Sequence, residues 1–330
     1  MTISQAAANV RKSNDTTNRR EMKVQEKKEG IALNGNDCII KPKISLSSYT
    51  SYRVGGPAEW FVAPRSLESL QEGVKYAKEH ELAITVLGAG SNLLVSDKGI
   101  PGLVIATRHM RHSNFESETG RVTFAAGESI PALASAVAEH GWEGFEWAVG
   151  IPGTIGGAVV MNAGAHNSCI ADILVSAEVL TEDGTLKTLT CEELNYSYRT
   201  SVLQGSNLIV IRATLQLQPG ADPAVVTART KQHKKHRLAT QPYHLPSCGS
   251  VFRNPKPHSA GRLIEEAGLK GFKIGQAQVA ELHANFIVNC GGATANDVYN
   301  LIHHVQQQVQ ERWSIRLHPE VKMLGEFQAA

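Results

Sequence analysis

The sequence predicts an α+β protein with three folded units that follow a polar N-terminal segment. Short apolar strand patterns alternate with amphipathic helical patterns along most of the chain. The segment Pro219-Gly-Ala-Asp-Pro223 interrupts these patterns in the manner of a domain boundary. The 330 residues are enough for two or three hydrophobic cores. We therefore expect a first lobe over 45–115, a second lobe over 116–219 and a C-terminal unit over 220–330.

Residues 1–44 differ in composition from the rest of the chain. They contain no aromatic residue, and nine Lys and Arg stand against five Asp and Glu, a net charge of +4. Such a segment cannot bury enough apolar surface to offset the entropy lost on ordering. We expect a disordered tail, with a functional basic arm as the alternative.

The first lobe contains one predicted helix and two predicted strands. The helix is expected over 66–79, because apolar residues recur there at helical spacing. Buried strands are expected over 83–87 and 103–106, where the apolar residues are continuous.

The second lobe contains a predicted β-hairpin. Glu182-Asp-Gly-Thr185 lies between two apolar strand patterns, an arrangement typical of a tight hairpin turn. The predicted elements of this lobe are strands over 121–126, 176–180, 185–189 and 207–217 and a helix over 129–140.

The C-terminal unit opens with a polar, basic helix that is expected to end near Arg237. Its other predicted elements are a loop over 242–257, helices over 261–267 and 296–313, and strands over 286–289 and 321–324.

Composition and charge exclude several classes of function. The chain is 42% hydrophobic and 19% charged, which is typical of a soluble globular enzyme. A net charge of +2 and an aromatic content of 6% do not predict a nucleic-acid or membrane partner. No apolar run approaches the ~20 residues of a membrane helix, and no secretory signal opens the chain. We expect a cytoplasmic protein, whose oligomeric state the composition does not specify.

Neither a disulfide framework nor a metal site is predicted. The five cysteines are odd in number and widely spaced, without a C-x-x-C motif. The pairs His233/His236 and His303/His304 lie in polar helical patterns, so we expect them on solvated faces rather than in a metal site. The cysteines are Cys38, Cys169, Cys191, Cys248 and Cys290.

The first of two glycine-rich segments is Gly88-Ala-Gly-Ser-Asn-Leu93, directly after a predicted strand. Glycines let the backbone approach an anion, and successive N–H groups form a nest for phosphate. The Rossmann dinucleotide fingerprint fits poorly, because Leu93 occupies the position of its third glycine and no acidic strand end follows. A tight turn between strands is the alternative interpretation of this loop.

The second glycine-rich segment, residues 150–164, holds five glycines and one proline. That is too many for an ordinary helix or strand, so we expect a segment that wraps closely around a ligand. Two uncharged glycine-rich segments together predict a large ligand held by backbone donors, such as a pyrophosphate joined to a flat ring.

Three segments resemble, in order and spacing, the signature stretches of the UDP-N-acetylenolpyruvoylglucosamine reductase family. They are Thr50-Ser-Tyr-Arg-Val-Gly-Gly-Pro57, residues 88–95 and residues 150–165. The resemblance extends from about residue 45 to about residue 327. It implies a two-lobe FAD-binding fold of the vanillyl-alcohol oxidase type, followed by a C-terminal α+β substrate domain.

The resemblance implies an NADPH-dependent flavin oxidoreductase of peptidoglycan precursor synthesis. The family uses non-covalently bound FAD, with NADPH as co-substrate, to reduce the nucleotide sugar UDP-N-acetylglucosamine enolpyruvate to UDP-N-acetylmuramate. By this resemblance, the residues that contact FAD are Arg53, Gly55, Gly88, Ala89, Gly90, Ser91, Asn92, Leu93, Gly150, Ile151, Pro152, Gly153, Thr154, Gly156 and Gly157.

Arg199, Ser250 and Glu320 match the catalytic motifs of the same family. Without the resemblance, we would interpret them as a surface cation, a turn residue and a residue at a strand edge, in that order. The resemblance implies that Arg199 grips the substrate carboxylate as a bidentate fork. It implies that Glu320 positions the enol-like intermediate, and that Ser250 donates a proton to the carbon next to the carboxylate.

Asn254 and Arg253 follow Ser250 within four residues and are expected to contact the diphosphate or sugar of the substrate, with turn and surface positions as the alternative. Arg237 is a further expected substrate-binding residue. Many relatives carry a basic residue immediately before the Gln241-Pro242 pair, where this chain has Thr240. Arg237, at the end of the predicted helix, is the expected substitute. The 51 residues from Arg199 to Ser250 match the short form of the family, which lacks an inserted tyrosine loop.

Two other classes of function stay open at the level of sequence. One is another flavin oxidoreductase on the same fold, such as an alcohol or sugar oxidase, because a fold does not determine a function. Such an oxidase would need neither Ser250 nor Glu320. The other is a non-catalytic module that binds a uridine nucleotide without consuming NADPH.

Overall fold

The computed structural model describes residues 30–33 and 38–328. Within these residues the chain forms three parts, each with its own sheet and hydrophobic core. The predicted α+β class is confirmed by the mixture of helices and strands. Among the described residues, no helix is long and apolar enough to cross a membrane.

The element bounds agree with most of the predicted ones to within a few residues. The helices are α1 (Leu67–Glu79), α2 (Ile130–Glu139), α3 (Ile155–Met161), α4 (Pro223–Thr240), α5 (Ala260–Glu266) and α6 (Ala295–Trp313). The strands are β1 (Ile31–Ala32), β2 (Ile39–Ser45), β3 (Pro57–Val62), β4 (Ile84–Leu87), β5 (Leu93–Val95), β6 (Ile100–Ala106), β7 (Ser113–Glu116), β8 (Arg121–Ala125), β9 (Gly164–Ala165), β10 (Ser168–Cys169), β11 (Leu174–Leu180), β12 (Leu186–Thr190), β13 (Ile209–Gln216), β14 (Lys273–Ile274), β15 (Ala277–Val279), β16 (Ile287–Asn289) and β17 (Lys322–Leu324).

The first lobe is a mixed sheet in the order β1-β2-β3-β6-β4, with α1 packed on one face. Both β3 and β4 run parallel to β6, and β2 runs antiparallel to β3. Helix α1 begins where the Ser66 hydroxyl accepts a hydrogen bond from the Ser69 amide at 3.2 Å, an N-cap. Leu70 and Val74 on its inner face are buried against the sheet. This is the helix that the apolar periodicity predicts.

The predicted tail boundary at residue 44 is wrong for the last part of the segment. β2 belongs to the five-stranded sheet and pairs with β3, with Lys41 opposite Phe61. Ile40 in β2 is completely buried. A strand needs only one apolar face, and here the lysines alternate outward while Ile40 points inward. The high net charge of residues 1–44 as a whole concealed this short alternation of exposed and buried residues. Residues 1–29 and 34–37 lie outside the described residues.

The second lobe is an antiparallel sheet in the order β12-β11-β13-β8-β7. Its predicted hairpin is confirmed, because Leu180 pairs with Leu186 across the turn. Helices α2 and α3 contribute Leu133, Val137 and Val159 to the core beneath this sheet.

The glycine-rich segment contains a helix, which the sequence did not predict. In α3, the Gly156 amide donates to the Ala126 carbonyl at 2.9 Å, and a Cβ on Gly156 would lie 2.9 Å from the Ala126 Cβ. Glycine therefore allows this helix to approach the sheet closely. The burial of Ile155 and Val159 outweighs the ~1 kcal/mol per residue that glycine costs a helix.

Helix α4 packs on the second lobe rather than on the C-terminal part. The Ala221 amide donates to the Gly141 carbonyl at 3.0 Å, and Arg229 forms an ion pair with Glu143. The C-terminal part therefore begins after α4, about twenty residues later than the predicted boundary at 220.

The C-terminal part consists of the small sheet β14-β15-β16 with α5 and α6. Strand β17 leaves this part and pairs in parallel with β5 of the first lobe, with Met323 opposite Leu94. The Asn289 side chain also donates to the Tyr52 carbonyl at 3.0 Å. These contacts bring residues just before β17 next to the glycine-rich loop that follows β4.

Candidate active site at the junction of the three parts

A cavity of about 1290 Å³ lies where the two lobes and the C-terminal part meet. Its wall includes both glycine-rich segments, Arg199, Ser250 and Glu320. Sites for single drug-sized ligands usually span roughly 300–1,000 Å³. This cavity is larger, so it has room for a dinucleotide cofactor and part of a second ligand.

The loop after β4 presents unoccupied backbone donors to this cavity. Within the described residues, the amide N–H groups of residues 88–92 donate no hydrogen bond. The loop turns at Gly90, whose φ is 64° and whose carbonyl accepts from the Ser51 amide at 3.1 Å. A Cβ on Gly90 would lie 2.0 Å from the Tyr49 carbonyl oxygen, so no side chain fits there. Consecutive free N–H groups of this kind form a nest for phosphate oxygens.

The second glycine-rich segment adjoins the first. The Ser91 hydroxyl donates to the Pro152 carbonyl at 2.8 Å, and a Cβ on Gly88 would lie 2.5 Å from the Thr154 hydroxyl oxygen. That hydroxyl is buried and has no hydrogen-bond partner among the described residues. A buried hydroxyl without a partner costs roughly 1–3 kcal/mol. Thr154 lies on the cavity wall, but its hydroxyl oxygen has no surface exposed to the cavity.

These features test whether FAD fits the cavity. The free amides of residues 88–92 suit a pyrophosphate, and the volume suits a dinucleotide. The cavity wall contains most of the predicted cofactor contacts: Gly88, Ala89, Gly90, Ser91, Asn92, Leu93, Ile151, Pro152, Gly153, Thr154, Gly156 and Gly157. The residues present therefore fit FAD.

Three of the predicted cofactor contacts do not line the cavity. Gly55 has a φ of 126° and lies against Val95, where a Cβ would be 2.9 Å from the Val95 Cβ. Arg53 is exposed and its amide closes a turn with the Thr50 carbonyl at 3.2 Å. Gly150 contacts the Arg237 side chain instead. These three residues shape turns behind the cavity wall, and their contact with FAD stays a prediction.

Arg199 and Glu320 form an ion pair inside the cavity. The Arg199 Nε lies 2.9 Å from Glu320 Oε1, and the two side chains are 20% and 16% exposed. The Arg199 Nη2 donates to the Gly164 carbonyl at 2.8 Å. Burial raises the pKa of Glu320, and the Arg199 guanidinium opposes that shift. These two contacts use two of the five N–H donors of the guanidinium. The remaining donors are available to a substrate carboxylate, so the bidentate contact that the resemblance implies stays a prediction.

Ser250 is held close to Glu320 by the backbone. The Glu320 amide donates to the Val251 carbonyl at 2.7 Å, so the two segments run side by side. The segment with Ser250 is fixed by Asn285, whose side chain accepts from the Phe252 amide at 2.9 Å and donates to the Phe252 carbonyl at 2.8 Å. The structure thus brings together three residues that lie far apart in the sequence.

Two further cations lie near this pair: Arg253, which the sequence analysis named as a candidate substrate contact, and Lys322, which it missed. Lys322 lines the cavity two residues after Glu320, and burial, with a further contribution from Arg253, lowers its pKa. The Arg253 Nη2 donates to the Arg199 carbonyl at 3.3 Å. Arg199 and Arg253 thus both act on the Glu320 carboxylate, and Lys322 lies nearby on the cavity wall. Three cations against this one carboxylate, among the residues described here, suit an anionic substrate. The only sequence signal for Lys322 was its place two residues after Glu320, within the strand predicted over 321–324.

Two neutral side chains form the wall behind Glu320. Cys248 is completely buried, which raises the pKa of its thiol to about 12. Burial also raises the pKa of the Tyr52 phenol well above its ordinary value, and Cys248 adds to the effect. Both groups therefore stay uncharged at neutral pH, so no second anion competes with Glu320 for the cations.

The predicted substrate-binding residues Asn254 and Arg237 both line the cavity. Asn254 accepts a hydrogen bond from the Ala260 amide at 3.0 Å, which fixes its side-chain oxygen at the start of α5. Arg237 donates to the Tyr243 hydroxyl at 3.1 Å and to the Gln241 side chain at 3.0 Å. This arrangement orients the guanidinium at the edge of the cavity, next to Gly150.

The fold and the site together define a class of protein, the flavin-dependent oxidoreductases built on an FAD-binding domain. A family model described as "FAD binding domain" matches residues 58–190. A second model, described as "UDP-N-acetylenolpyruvoylglucosamine reductase, C-terminal domain", matches residues 241–324. The predicted two-lobe FAD-binding fold with a C-terminal domain is confirmed. The second match also begins just after α4, where the C-terminal part begins in the structure.

The chain belongs to the UDP-N-acetylenolpyruvoylglucosamine reductase family. It is 72% identical over 300 residues to a protein of that name from Nostoc sp., with 91% of each chain covered. It is 54% identical over 299 residues to one from Synechocystis sp., with 90% of this chain and 94% of the relative covered. The crystal structure of the Thermus caldophilus protein of that name is 36% identical and superposes with a TM-score of 0.74, covering 87% of this chain and 99% of the other.

Proposed function

We infer that this chain catalyses the FAD-dependent reduction of UDP-N-acetylglucosamine enolpyruvate to UDP-N-acetylmuramate, with NADPH as reductant. The reaction is a step of peptidoglycan precursor synthesis, and we place it in the cytoplasm. One observation carries the inference: the two glycine-rich segments and the Arg199–Glu320 pair with Ser250 line a single cavity. When bound there, FAD takes up a hydride from NADPH and supplies it to the enolpyruvyl double bond.

The loop after β4 and the Thr154 region hold the cofactor in this proposal. The free amides of residues 88–92 bind its pyrophosphate, because backbone dipoles converge there without any side-chain charge. Non-covalent binding follows from this set of donors, since the cavity wall needs no attachment residue to hold the group.

The cations of the site bind and stabilise the substrate carboxylate. Hydride addition to the terminal carbon places negative charge on the neighbouring carbon and its carboxylate. Arg199, with Lys322 and Arg253 nearby, meets this charge in a partly buried site, where electrostatic stabilisation is stronger than in water. Glu320 fixes the Arg199 guanidinium through the 2.9 Å contact and so determines the position of the carboxylate.

Ser250 is the proton donor in this proposal. Its segment is fixed by Asn285 and runs beside Glu320, so its hydroxyl faces the same region of the cavity as Arg199. The proton passes from the hydroxyl oxygen to the carbon next to the substrate carboxylate. An alcohol or sugar oxidase would have no use for a proton donor or for an excess of cations at this point, so these residues favour the reductase.

The proposed function is tested by two measurements on the purified protein. The absorbance spectrum should show the bands of oxidised flavin, which bleach when NADPH is added without oxygen. Adding UDP-N-acetylglucosamine enolpyruvate should restore the bands and yield UDP-N-acetylmuramate by mass spectrometry. The proposal would be refuted by a yellow protein whose reduced flavin is reoxidised by oxygen but not by the enolpyruvyl substrate. Reduction of the flavin by an alcohol substrate would favour the oxidase.

A further inference from the structure

Arg199 has a backbone conformation that its residue type disfavours. Its φ is 59°, in the left-handed region that residues other than Gly, Asn and Asp rarely adopt. Ser197 and Thr200 exchange two backbone hydrogen bonds, each of 3.1 Å, so Tyr198 and Arg199 form the two-residue turn between them. A turn in which only the second central residue has a positive φ normally places Gly or Asn there. Such a residue persists only where the surrounding structure holds it in place.

Gln204 makes the contact that holds this turn at Arg199 itself. The Gln204 Nε2 donates to the Arg199 carbonyl at 2.9 Å and to the Val160 carbonyl at 3.1 Å. One side-chain amide thus joins the turn to the C-terminal end of α3. Both partners are acceptors, so this position requires a donor. The Arg253 Nη2 donates to the same Arg199 carbonyl at a longer distance, 3.3 Å.

The N-terminal side of the turn is also bound to the end of α3. The Tyr196 hydroxyl donates to the Val159 carbonyl at 2.9 Å. The last carbonyls of a helix have no partner within the helix, and this hydroxyl supplies one. From the helix side, the Nδ2 of Asn162, the C-cap residue of α3, donates to the Ser197 carbonyl at 3.0 Å. The turn is therefore held on α3 both before Arg199 and, through Gln204, at Arg199.

Helix α3 forms part of the cavity wall. Gly156 and Gly157 of this helix line the cavity and are predicted flavin contacts. The Arg199 guanidinium donates to the Gly164 carbonyl, just beyond α3, at 2.8 Å and to Glu320 Oε1 at 2.9 Å. A shift of the Arg199 backbone relative to α3 would therefore move the guanidinium relative to both the flavin wall and Glu320.

We propose that Gln204 is a positioning residue for the reduction: its side-chain amide holds the left-handed Arg199 turn on α3 and so fixes the guanidinium where charge develops on the substrate. Gln204 acts through Arg199 in this role and not on the reacting atoms. Donors that are already in place need no reorganisation during the reaction, and a misplacement of about 1 Å can cost about 10²-fold in rate. The proposal rests on the proposed function, which supplies the step that uses Arg199.

The test uses Gln204→Met in the FAD-loaded enzyme. Met is unbranched and fills a half-buried position, but it has no N–H donor, so both bonds of the amide are lost. The matched control is Gln216→Met. The Gln216 Nε2 also joins two carbonyls, those of Thr119 at 2.8 Å and Leu217 at 3.2 Å, but Gln216 is exposed and does not line the cavity. Melting temperature and flavin absorbance establish that each variant is folded. Gln204→Glu, which places an acceptor opposite the two carbonyls, replaces Gln204→Met if that variant is not folded.

Reoxidation of the reduced flavin by UDP-N-acetylglucosamine enolpyruvate is the first measurement. Gln204→Met should lower its rate at saturating substrate by about 10–10²-fold and raise the half-saturating concentration by a smaller factor. Flavin reduction by NADPH should keep its wild-type rate, because no charge develops on a carboxylate in that step. Gln216→Met should match wild type in both half-reactions. Equal slowing of both half-reactions, or a change in the half-saturating concentration alone, would overturn the proposal.

The second measurement follows the guanidinium without turnover. NMR of protein with isotope-labelled arginine observes the Nε–H that Arg199 donates to Glu320, and its absence from Arg199→Lys assigns the signal. Its exchange with water should be about tenfold faster in Gln204→Met than in wild type and Gln216→Met, as expected for the loss of one hydrogen bond that holds the turn. An unchanged signal would overturn the proposal even if reoxidation is slow, because Gln204 would then act on the substrate itself. If wild type does not reduce the enolpyruvyl substrate, the proposed function fails, and this comparison still decides whether Gln204 positions Arg199.

Discussion

Replacing Ser250 by Ala separates the structural role of its segment from a chemical role of its hydroxyl. The neighbouring backbone is held by Asn285 through the Phe252 amide at 2.9 Å and the Phe252 carbonyl at 2.8 Å, and the substitution leaves both bonds intact. Ser250 lines the cavity and is not one of the buried core residues. The expected change in the free energy of unfolding is therefore within about 0.5 kcal/mol, and flavin content should be unchanged.

The expected effect on the chemical step is much larger. General-acid catalysis contributes about 10²–10⁴-fold, which corresponds to ~2.7–5.4 kcal/mol of activation free energy. This loss applies only to the step in which the substrate carbon is protonated. Reduction of the flavin by NADPH needs no such proton, so its rate should stay close to the wild-type rate.

Stopped-flow absorbance measures the two half-reactions separately. NADPH should bleach the flavin of Ser250→Ala normally, and UDP-N-acetylglucosamine enolpyruvate should then reoxidise it about 10²–10⁴-fold more slowly than in wild type. Ser259→Ala is the matched control, because this N-cap residue of α5 is exposed and its side chain makes no capping hydrogen bond. Normal reoxidation of Ser250→Ala would remove this residue as the donor. Equal slowing of both half-reactions would show a disturbed flavin site instead.

Three further changes test other parts of the structure. Gly90→Val should purify folded but without flavin, because its Cβ would lie 2.0 Å from the Tyr49 carbonyl in a left-handed turn; a fully yellow variant would contradict the role of the loop. Arg199→Lys should lower kcat more than it raises KM, because lysine keeps the charge but cannot bond both Glu320 and the Gly164 carbonyl; a pure KM effect would make this residue a binder only. Deleting residues 1–29 should leave the melting temperature unchanged. Deleting residues 1–44 removes most of β2 and should lower the free energy of unfolding by at least the ~2–5 kcal/mol typical of losing one buried aliphatic side chain. Equal melting temperatures for the two deletions would show that β2 contributes nothing to stability.

Among the described residues, the sequence predicted five of the six α-helices and eight of the seventeen strands. The helix at Leu67–Glu79 follows a pattern that tertiary contacts do not alter, and the hairpin between β11 and β12 follows from its turn residues. The errors occurred where packing outweighs local preference. Helix α3 forms across two glycines because it must approach Ala126 closely, and β2 forms within a charged segment because one face of it is buried.

The candidate site shows the same division. Glycine spacing and motif resemblance placed both ligand loops and named Arg199, Ser250 and Glu320 as one site. Residue types alone could not indicate that Glu320 and the Gly164 carbonyl engage two of the three Arg199 nitrogens. Nor could they reveal Lys322 on the cavity wall, since that position depends on β17 crossing back to pair with β5.

The sequence by itself predicted the fold class and two ligand-type glycine loops, because these depend on local backbone preferences. Arg199, Ser250 and Glu320 came from the family resemblance, and their chemical roles stay predictions. Tertiary structure decided which side chains share the cavity. The parallel pairing of β17 with β5 brings Glu320 to Asn92, whose side chain donates to the Glu320 carbonyl at 3.1 Å across 228 positions. The contact of α4 with the second lobe brings His233 and His236 to His166. No periodicity records such contacts, because they arise only when separate elements pack their buried faces together.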